Sequence, residues 1–177
     1  AFCSFDSLSS VTIPSSIKRI GEGAFYSCNY LTSVNISNIA AWCNIDFKDF
    51  ASNPLYLAFH IYLNGEEIRE LVIPDGVTKI GDSAFASCRS LIDINVSVNN
   101  NNYQSINGNL YSKDGTTLIQ YSSGKKDNEF IIPKGVTSIG SGAFASCYSL
   151  TNITIPESVT SIGDGAFSGC YNLTNIT

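Results

Sequence analysis

The sequence predicts an α/β repeat solenoid. Short parallel β-strands alternate with turns and with 3₁₀ or short helical segments, and two hairpin-like insertions interrupt the array. Three observations lead there. An Ile-Pro phrase opens four times, at Ile13-Pro14, Ile73-Pro74, Ile132-Pro133 and Ile155-Pro156. The same slots recur behind it, and Phe2 to Phe25 and Phe144 to Phe167 both step by 23 residues. Composition agrees: 44% of the 177 residues are hydrophobic and only 14% charged, with 25 Ser, 11 Thr and 17 Asn supplying an uncharged polar surface.

Each phrase justifies one coil. After Ile-Pro come an aliphatic residue (Ile17, Val77, Val136, Val159), an isoleucine (Ile20, Ile80, Ile139, Ile162) and a glycine (Gly21, Gly81, Gly140, Gly163). Ala24-Phe25, Ala84-Phe85, Ala143-Phe144 and Ala166-Phe167 follow, then Cys28, Cys88, Cys147 and Cys170, then Leu31, Leu91, Leu150 and Leu173. A period of 23 lies in the leucine-rich-repeat range. The pattern L-x-x-V-x-I over 31–36 supplies the inward aliphatics of a short strand, and in the Ile-Pro copies the proline directly after the strand ends it. The glycine suits a tight turn or a left-handed residue. The next slot (Glu22, Asp82, Ser141, Asp164) can cap the helical or 3₁₀ turn carrying Ala-Phe-x-x-Cys. A coil buries these side chains only against its neighbours, so stability is nearest-neighbour.

Two steps are too long, 60 residues from Phe25 to Phe85 and 59 from Phe85 to Phe144. Irregular insertions are therefore expected at about 37–67 and 97–129. Asn64-Gly65 between apolar runs predicts a hairpin with a type I′ turn. Asp114-Gly115 marks a similar device, and 99–102 reads as a loop. Trp42, among Ile39, Ala40, Ala41 and Ile45, is expected in the core on a helical turn. The whole span, 1–177, reads as about seven coils of one solenoid domain. With no Met and a start at Ala1, it is expected to be a piece of a longer array.

The composition also excludes function classes. The net charge is −5, and no basic cluster exceeds Lys125-Lys126, so the footprint needed for nucleic acid is missing. No apolar stretch approaches the ~20 residues that span a bilayer. His60 is the single histidine, so a Ser-His-Asp triad, a Cys-His dyad or an imidazole zinc site would have to use that one ring. No catalytic residue, metal or cofactor is expected. The four in-slot cysteines should stack as buried thiols behaving as small hydrophobes, whereas the pairing of Cys3 and Cys43 stays open.

These phrases resemble the BspA-type leucine-rich repeats of bacterial and protist surface proteins, above all through V-T-S-I-G-x-x-A-F-x-x-C-x-x-L over 136–150. The resemblance implies an exported protein at the cell surface or secreted, and for some members adhesion to host matrix or plasma proteins such as fibronectin and fibrinogen. Curvature gathers outward strand residues on the concave face of such arrays. The candidate protein-binding residues are accordingly Thr32, Ser33, Asn35, Asp93, Asn95, Asn152 and Thr154. An aromatic stripe (Tyr26, Tyr30, Tyr148, Tyr171) and the two insertions are the competing surfaces. Two function classes stand side by side: a non-catalytic protein-binding module, and a structural spacer presenting another domain.

Overall fold

The computed structural model describes residues 2–177. In chain order its strands are β1 (Ser10–Ile13), β2 (Arg19–Ile20), β3 (Ser33–Ile36), β4 (Asp46–Phe47), β5 (Ile61–Leu63), β6 (Glu66–Glu67), β7 (Glu70–Ile73) and β8 (Asp93–Val96). Then come β9 (Tyr103–Ile106), β10 (Asn109–Ser112), β11 (Thr117–Gln120), β12 (Glu129–Ile131), β13 (Ser138–Ile139), β14 (Asn152–Thr154), β15 (Ser161–Ile162) and β16 (Asn175–Ile176). Two α-helices, α1 (Ile39–Cys43) and α2 (Leu55–Ala58), are confined to the first insertion. The molecule is a solenoid of stacked coils in which β-strands and turns dominate.

Parallel pairing follows the 23-residue period, with Ser10 facing Ser33, Ser138 facing Ser161 and Asn152 facing Asn175. Strands such as β1 and β7 alternate exposed and buried residues, so Val11, Ile13, Leu71 and Ile73 point inward. The core forms two contiguous clusters that meet at β10, where Leu110 belongs to one and Tyr111 to the other. Consecutive strand residues point to opposite faces, so β10 is buried on both. Between coils, phenylalanine rings stack: Phe2 on Phe25 at 5.5 Å and Phe144 on Phe167 at 5.1 Å. Threonines form a second ladder, with Thr32, Thr151 and Thr174 each donating to a carbonyl one coil back. This is where the hydroxyl-rich, charge-poor composition is used.

The Ala-Phe-x-x-Cys segments are single turns of the 3₁₀ kind and do not extend into a helix. Their hydrogen bonds do run from residue i+3 to i, as from Cys28 to Phe25 and Leu31 to Cys28. A left-handed residue breaks the run before a helix can form, at Ser27, Ser87, Ser146 and Gly169 just before each cysteine. The consensus glycine plays another part as well. Gly81 and Gly163 are not left-handed; a Cβ there would lie 2.1 Å from the Ile45 carbonyl oxygen and 2.4 Å from the Ser141 nitrogen. Close approach of the neighbouring coil, not turn geometry, requires glycine. Capping by Glu22, Asp82, Ser141 or Asp164 side chains is replaced too: the Asp49 carboxylate accepts from the Gly23 N–H, and the Gly142 N–H reaches the Asp164 backbone carbonyl.

The insertions are partly coils in disguise. In the first, β4 pairs with β2 and β5 with β3, both parallel, so one irregular coil is completed before β5 turns back into β6. Asn64 and Gly65 both have positive φ, as a type I′ turn requires. The segment before β5 is helix α2, not strand. Trp42 is buried on α1 and donates through Nε1 to the Ala84 carbonyl at 3.0 Å, tying the insertion to the following coil. In the second insertion β9, β10 and β11 form an antiparallel meander, and β11 joins β13 in parallel. The β9–β10 turn is Asn107-Gly108, again with both φ positive. The same dipeptide signal as Asn64-Gly65 stood in the sequence there and pointed to this extra hairpin.

Candidate protein-binding surface

The outward residues nominated from sequence do not share one sheet. Thr32, Ser33 and Asn35 lie in and beside β3 of a four-stranded sheet ordered β1-β3-β5-β6. Asp93 and Asn95 lie on β8, paired only with β7, and Asn152 and Thr154 lie on β14 in the sheet β12-β14-β16. Each break follows an inserted hairpin. The structure therefore brings the seven residues together as three groups.

The first group is the best developed. Ser33 and Asn35 join Ser10, His60, Tyr62 and Glu67 around a shallow depression of about 550 Å3. Asn35 Nδ2 donates to Ser10 Oγ at 2.9 Å. Glu67 lies across the hairpin from His60, with Oε1 2.7 Å from Nδ1, while Oε2 is 2.9 Å from the Arg69 guanidinium. Burial raises the Glu67 pKa, but the His60 and Arg69 contacts outweigh it and hold the carboxyl below its ordinary value. In the other groups Asn95 Nδ2 donates to Asp93 Oδ2, and Asn152 Nδ2 to Glu129 Oε1. Uncharged donors that already hold one partner are pre-oriented, which lowers the ordering cost of binding.

Alternation along β7 and β12 places two outward residues that the sequence reading passed over. Val72 is 56% exposed and Ile131 72% exposed. Each is the aliphatic counterpart of a polar residue on the next strand, Val72 facing Asn95 and Ile131 facing Thr154. Both sit on the first strand of a sheet that begins after a hairpin. The period-two pattern Ile68-x-x-Leu71-x-Ile73 was the available signal for Val72.

The tyrosine stripe is split. Tyr26 and Tyr30 are exposed near one end, and Tyr148 stacks on Tyr171 at 5.7 Å near the other. Between them the Arg89 guanidinium is sandwiched, 3.3 Å from the Phe59 ring centroid and 3.8 Å from that of Tyr148.

The in-slot thiols point into the stack. Cys28 Sγ donates to the Phe2 carbonyl and Cys170 Sγ to the Phe144 carbonyl, both at 2.9 Å. All six cysteines are free, with Cys3 exposed and Cys43 buried on α1. Burial pushes the Cys43 thiol up to about 12 and the Cys88 thiol up to about 11. Thiolate is the reactive form, so disulfide-exchange reagents at pH 8 should label Cys3 at once and reach Cys43 and Cys88 only on unfolding. Rapid native-state labelling of either buried thiol would refute this. A raised folded pKa stabilises fully below the unfolded thiol value of about 8.5, and that contribution is lost as pH climbs towards 11–12.

Among the described residues no group of three or more His, Cys, Asp or Glu side chains could hold a metal ion. No helix among them is long and apolar enough to cross a membrane.

Comparison with known proteins places this geometry. No curated protein matches the chain. Among solved structures, the pneumococcal vaccine antigen PcpA is similar at 26% identity and a TM-score of 0.60, over 96% of this chain and 39% of that one. A leucine rich cell surface protein from Faecalibacterium prausnitzii matches at 27% identity and TM-score 0.60, over 99% of this chain and 62% of its own. A leucine-rich repeat protein from Eubacterium ventriosum matches at 25% and 0.51, over 97% and 60%. The chain thus spans less than two thirds of the length of each. The BspA type leucine rich repeat region matches in six copies over 1–124 and 119–177. The coil that sequence and structure describe is that repeat, and the chain belongs to the BspA-type leucine-rich-repeat family.

Proposed function

We propose that this chain is a non-catalytic binding module, at the cell surface or secreted, whose outward strand residues hold a protein ligand, and that 1–177 acts as one solenoid unit. The observation that carries this reading is the row of pre-oriented polar groups around the Ser33–Asn35 depression, repeated along the array at Asp93, Asn95, Asn152 and Thr154. Family membership supports it, as does the likeness to a protein described as a leucine rich cell surface protein. Fold alone does not name a ligand, so host matrix and plasma proteins are the first to try.

The test is equilibrium binding to purified fibronectin and fibrinogen, with a heat-unfolded sample as control. The folded chain should bind saturably, and Ser33→Arg with Asn95→Arg should weaken binding by at least about tenfold, or 1.4 kcal/mol, with Tm unchanged. Binding that survives both substitutions would place the contact elsewhere. One observation favours the spacer reading: Asn35, Asn95 and Asn152 already spend donors inside the protein. Silence of the folded chain across the panel would select it.

A further inference from the structure

The column of parallel strands that defines the solenoid is interrupted between β5 and β7, and the interruption leaves a sheet edge open. On β7, the Arg69 carbonyl accepts from Asp93 N–H and the Ile73 carbonyl from Ser97 N–H. Residues 69, 71 and 73 therefore direct their backbone groups to β8, and Glu70 and Val72 direct theirs the other way. The sheet is two-stranded, β7-β8, and no strand among the described residues pairs on that other side. In an uninterrupted array the preceding coil would stand there. Here β5 has instead turned back into β6, which pairs with β5 alone.

A groove of about 470 Å3 runs along this edge. Its apolar lining comes from Ile39, Leu63, Ile68 and Val72, and its rim from Glu66, Glu67 and Glu70. Val72, more than half exposed on the outward face of β7, lies beside the groove. The charge around it is lopsided. Arg69 is the one cation on the lining and is held by Glu67. Glu70 has no ion-pair partner among the described residues and stands directly opposite Asp93 in the ladder. Like charges in register repel, and a cation laid beside Glu70 relieves that.

We infer that this groove is a strand-addition site: an extended segment of a partner protein, alternating basic and apolar side chains, pairs with the free edge of β7 through the backbone of Glu70 and Val72. Its apolar residues face Ile39, Leu63 and Ile68, and its Lys or Arg residues face Glu66, Glu70 and Asp93. Main-chain hydrogen bonds supply affinity in this mode, and alternate side-chain contacts supply specificity. The inference rests on the protein-binding reading and names the partner's chemistry, at a place other than the Ser33–Asn35 depression.

The probe is a capped peptide of about six residues alternating lysine and valine, a common strand length, against the same peptide with glutamate in place of lysine. The lysine peptide should bind saturably and slow amide exchange at Glu70 and Val72 at least about tenfold, whereas the glutamate peptide should not. Val72→Pro removes the edge N–H without touching the β7–β8 ladder, since proline is accepted where a strand's N–H faces outward. It should weaken the peptide at least about tenfold with Tm unchanged, and Val72→Thr, which keeps the N–H, should not. Glu66→Lys with Glu70→Lys provides an independent arm on exposed positions and should reverse the preference between the peptides. No saturable binding, equal binding of both peptides, or binding indifferent to both Val72→Pro and the charge reversal would each overturn the assignment. Ser33→Arg alone, in the depression and away from β7, tests that surface separately: loss of fibronectin or fibrinogen binding there with silence at β7 removes this inference alone.

Discussion

Phe144→Ala should cost about 3–5 kcal/mol of unfolding free energy, the range for deleting a fully buried phenylalanine ring. The ring is 0% exposed and sits at the centre of an aromatic stack, 5.4 Å from Tyr121, 5.1 Å from Phe167 and 5.8 Å from Phe130. Two effects add: lost transfer of the ring from water, and a void that its neighbours fill poorly. Collapse is resisted because the backbone on either side is pinned to the adjoining coil, with Phe144 N–H on the Ala166 carbonyl and Cys170 Sγ on the Phe144 carbonyl. Domains of this size are stable by roughly 5–15 kcal/mol, so one substitution removes a large share. Thermal melting should show a fall in Tm of roughly 6–20 °C. Phe167→Ala, at a ring only half-buried within residues 1–177, should cost clearly less, because less apolar surface returns to water. Equal losses at the two positions, or a loss below about 1 kcal/mol at Phe144, would contradict this burial account of the stack.

The consensus slots were legible because a 23-residue period places every copy of Phe, Cys, Leu and Ile in the same physical position. One reading of the slot serves for all coils. Trp42 in the core and the Asn64-Gly65 turn were legible for local reasons, apolar neighbours in one case and a dipeptide that tolerates positive φ in the other. What escaped depends on the distance to the next coil. Gly81 is glycine because the Ile45 carbonyl passes beneath it, and no property of residue 81 or its neighbours announces that. The left-handed serines at 27, 87 and 146 were hidden because serine is unremarkable in a Ser-rich chain. The candidate surface was half legible: alternation identified outward residues correctly, as at Asn35 and Asn95. Their division among three sheets could not be read, because it depends on which strands the two hairpins pair with and not on where the hairpins lie. For the same reason the open edge of β7 was invisible, since an unpaired edge is a property of what is missing beside a strand.

Asn100 shows how large an effect such hidden placement can have. In the sequence it is one of four consecutive asparagines at 99–102, a tract that reads as a solvated loop. In the structure its neighbours are largely exposed, whereas Asn100 itself is 0% exposed. Its Nδ2 donates to the Pro74 and Val77 carbonyls at 2.8 and 3.0 Å, and its Oδ1 accepts from the N–H groups of Asn102 and Tyr103 at 2.8 and 2.9 Å. One amide therefore clamps the start of the second insertion to the turn after β7. Asn100→Ala removes all four bonds and leaves the Val77 carbonyl and the Asn102 and Tyr103 amides with no protein partner, while the Pro74 carbonyl keeps the Val77 N–H. At about 1–3 kcal/mol for each buried polar group left unsatisfied, offset where water enters the small void, the loss should be about 3 kcal/mol or more. Asn101→Ala, at an exposed neighbour in the same tract, should stay within about 0.5 kcal/mol. Asn100→Asp separates lost hydrogen bonds from simple loss of packing, because it is nearly the same shape. The carboxylate keeps the acceptor for Asn102 and Tyr103 but aims a buried negative charge at two carbonyl oxygens, which raises its pKa. A raised folded pKa stabilises below the unfolded carboxyl value near ~3.9 and loses that contribution as pH rises through the folded value. The Asn100→Asp protein should therefore melt well below the parent at pH 7 and recover part of the difference towards pH 4, where the protonated acid can donate as the amide did. A deficit that does not shrink on acidification would mean that the Pro74 and Val77 carbonyls do not depend on a donor at this position, and that packing alone anchors the insertion.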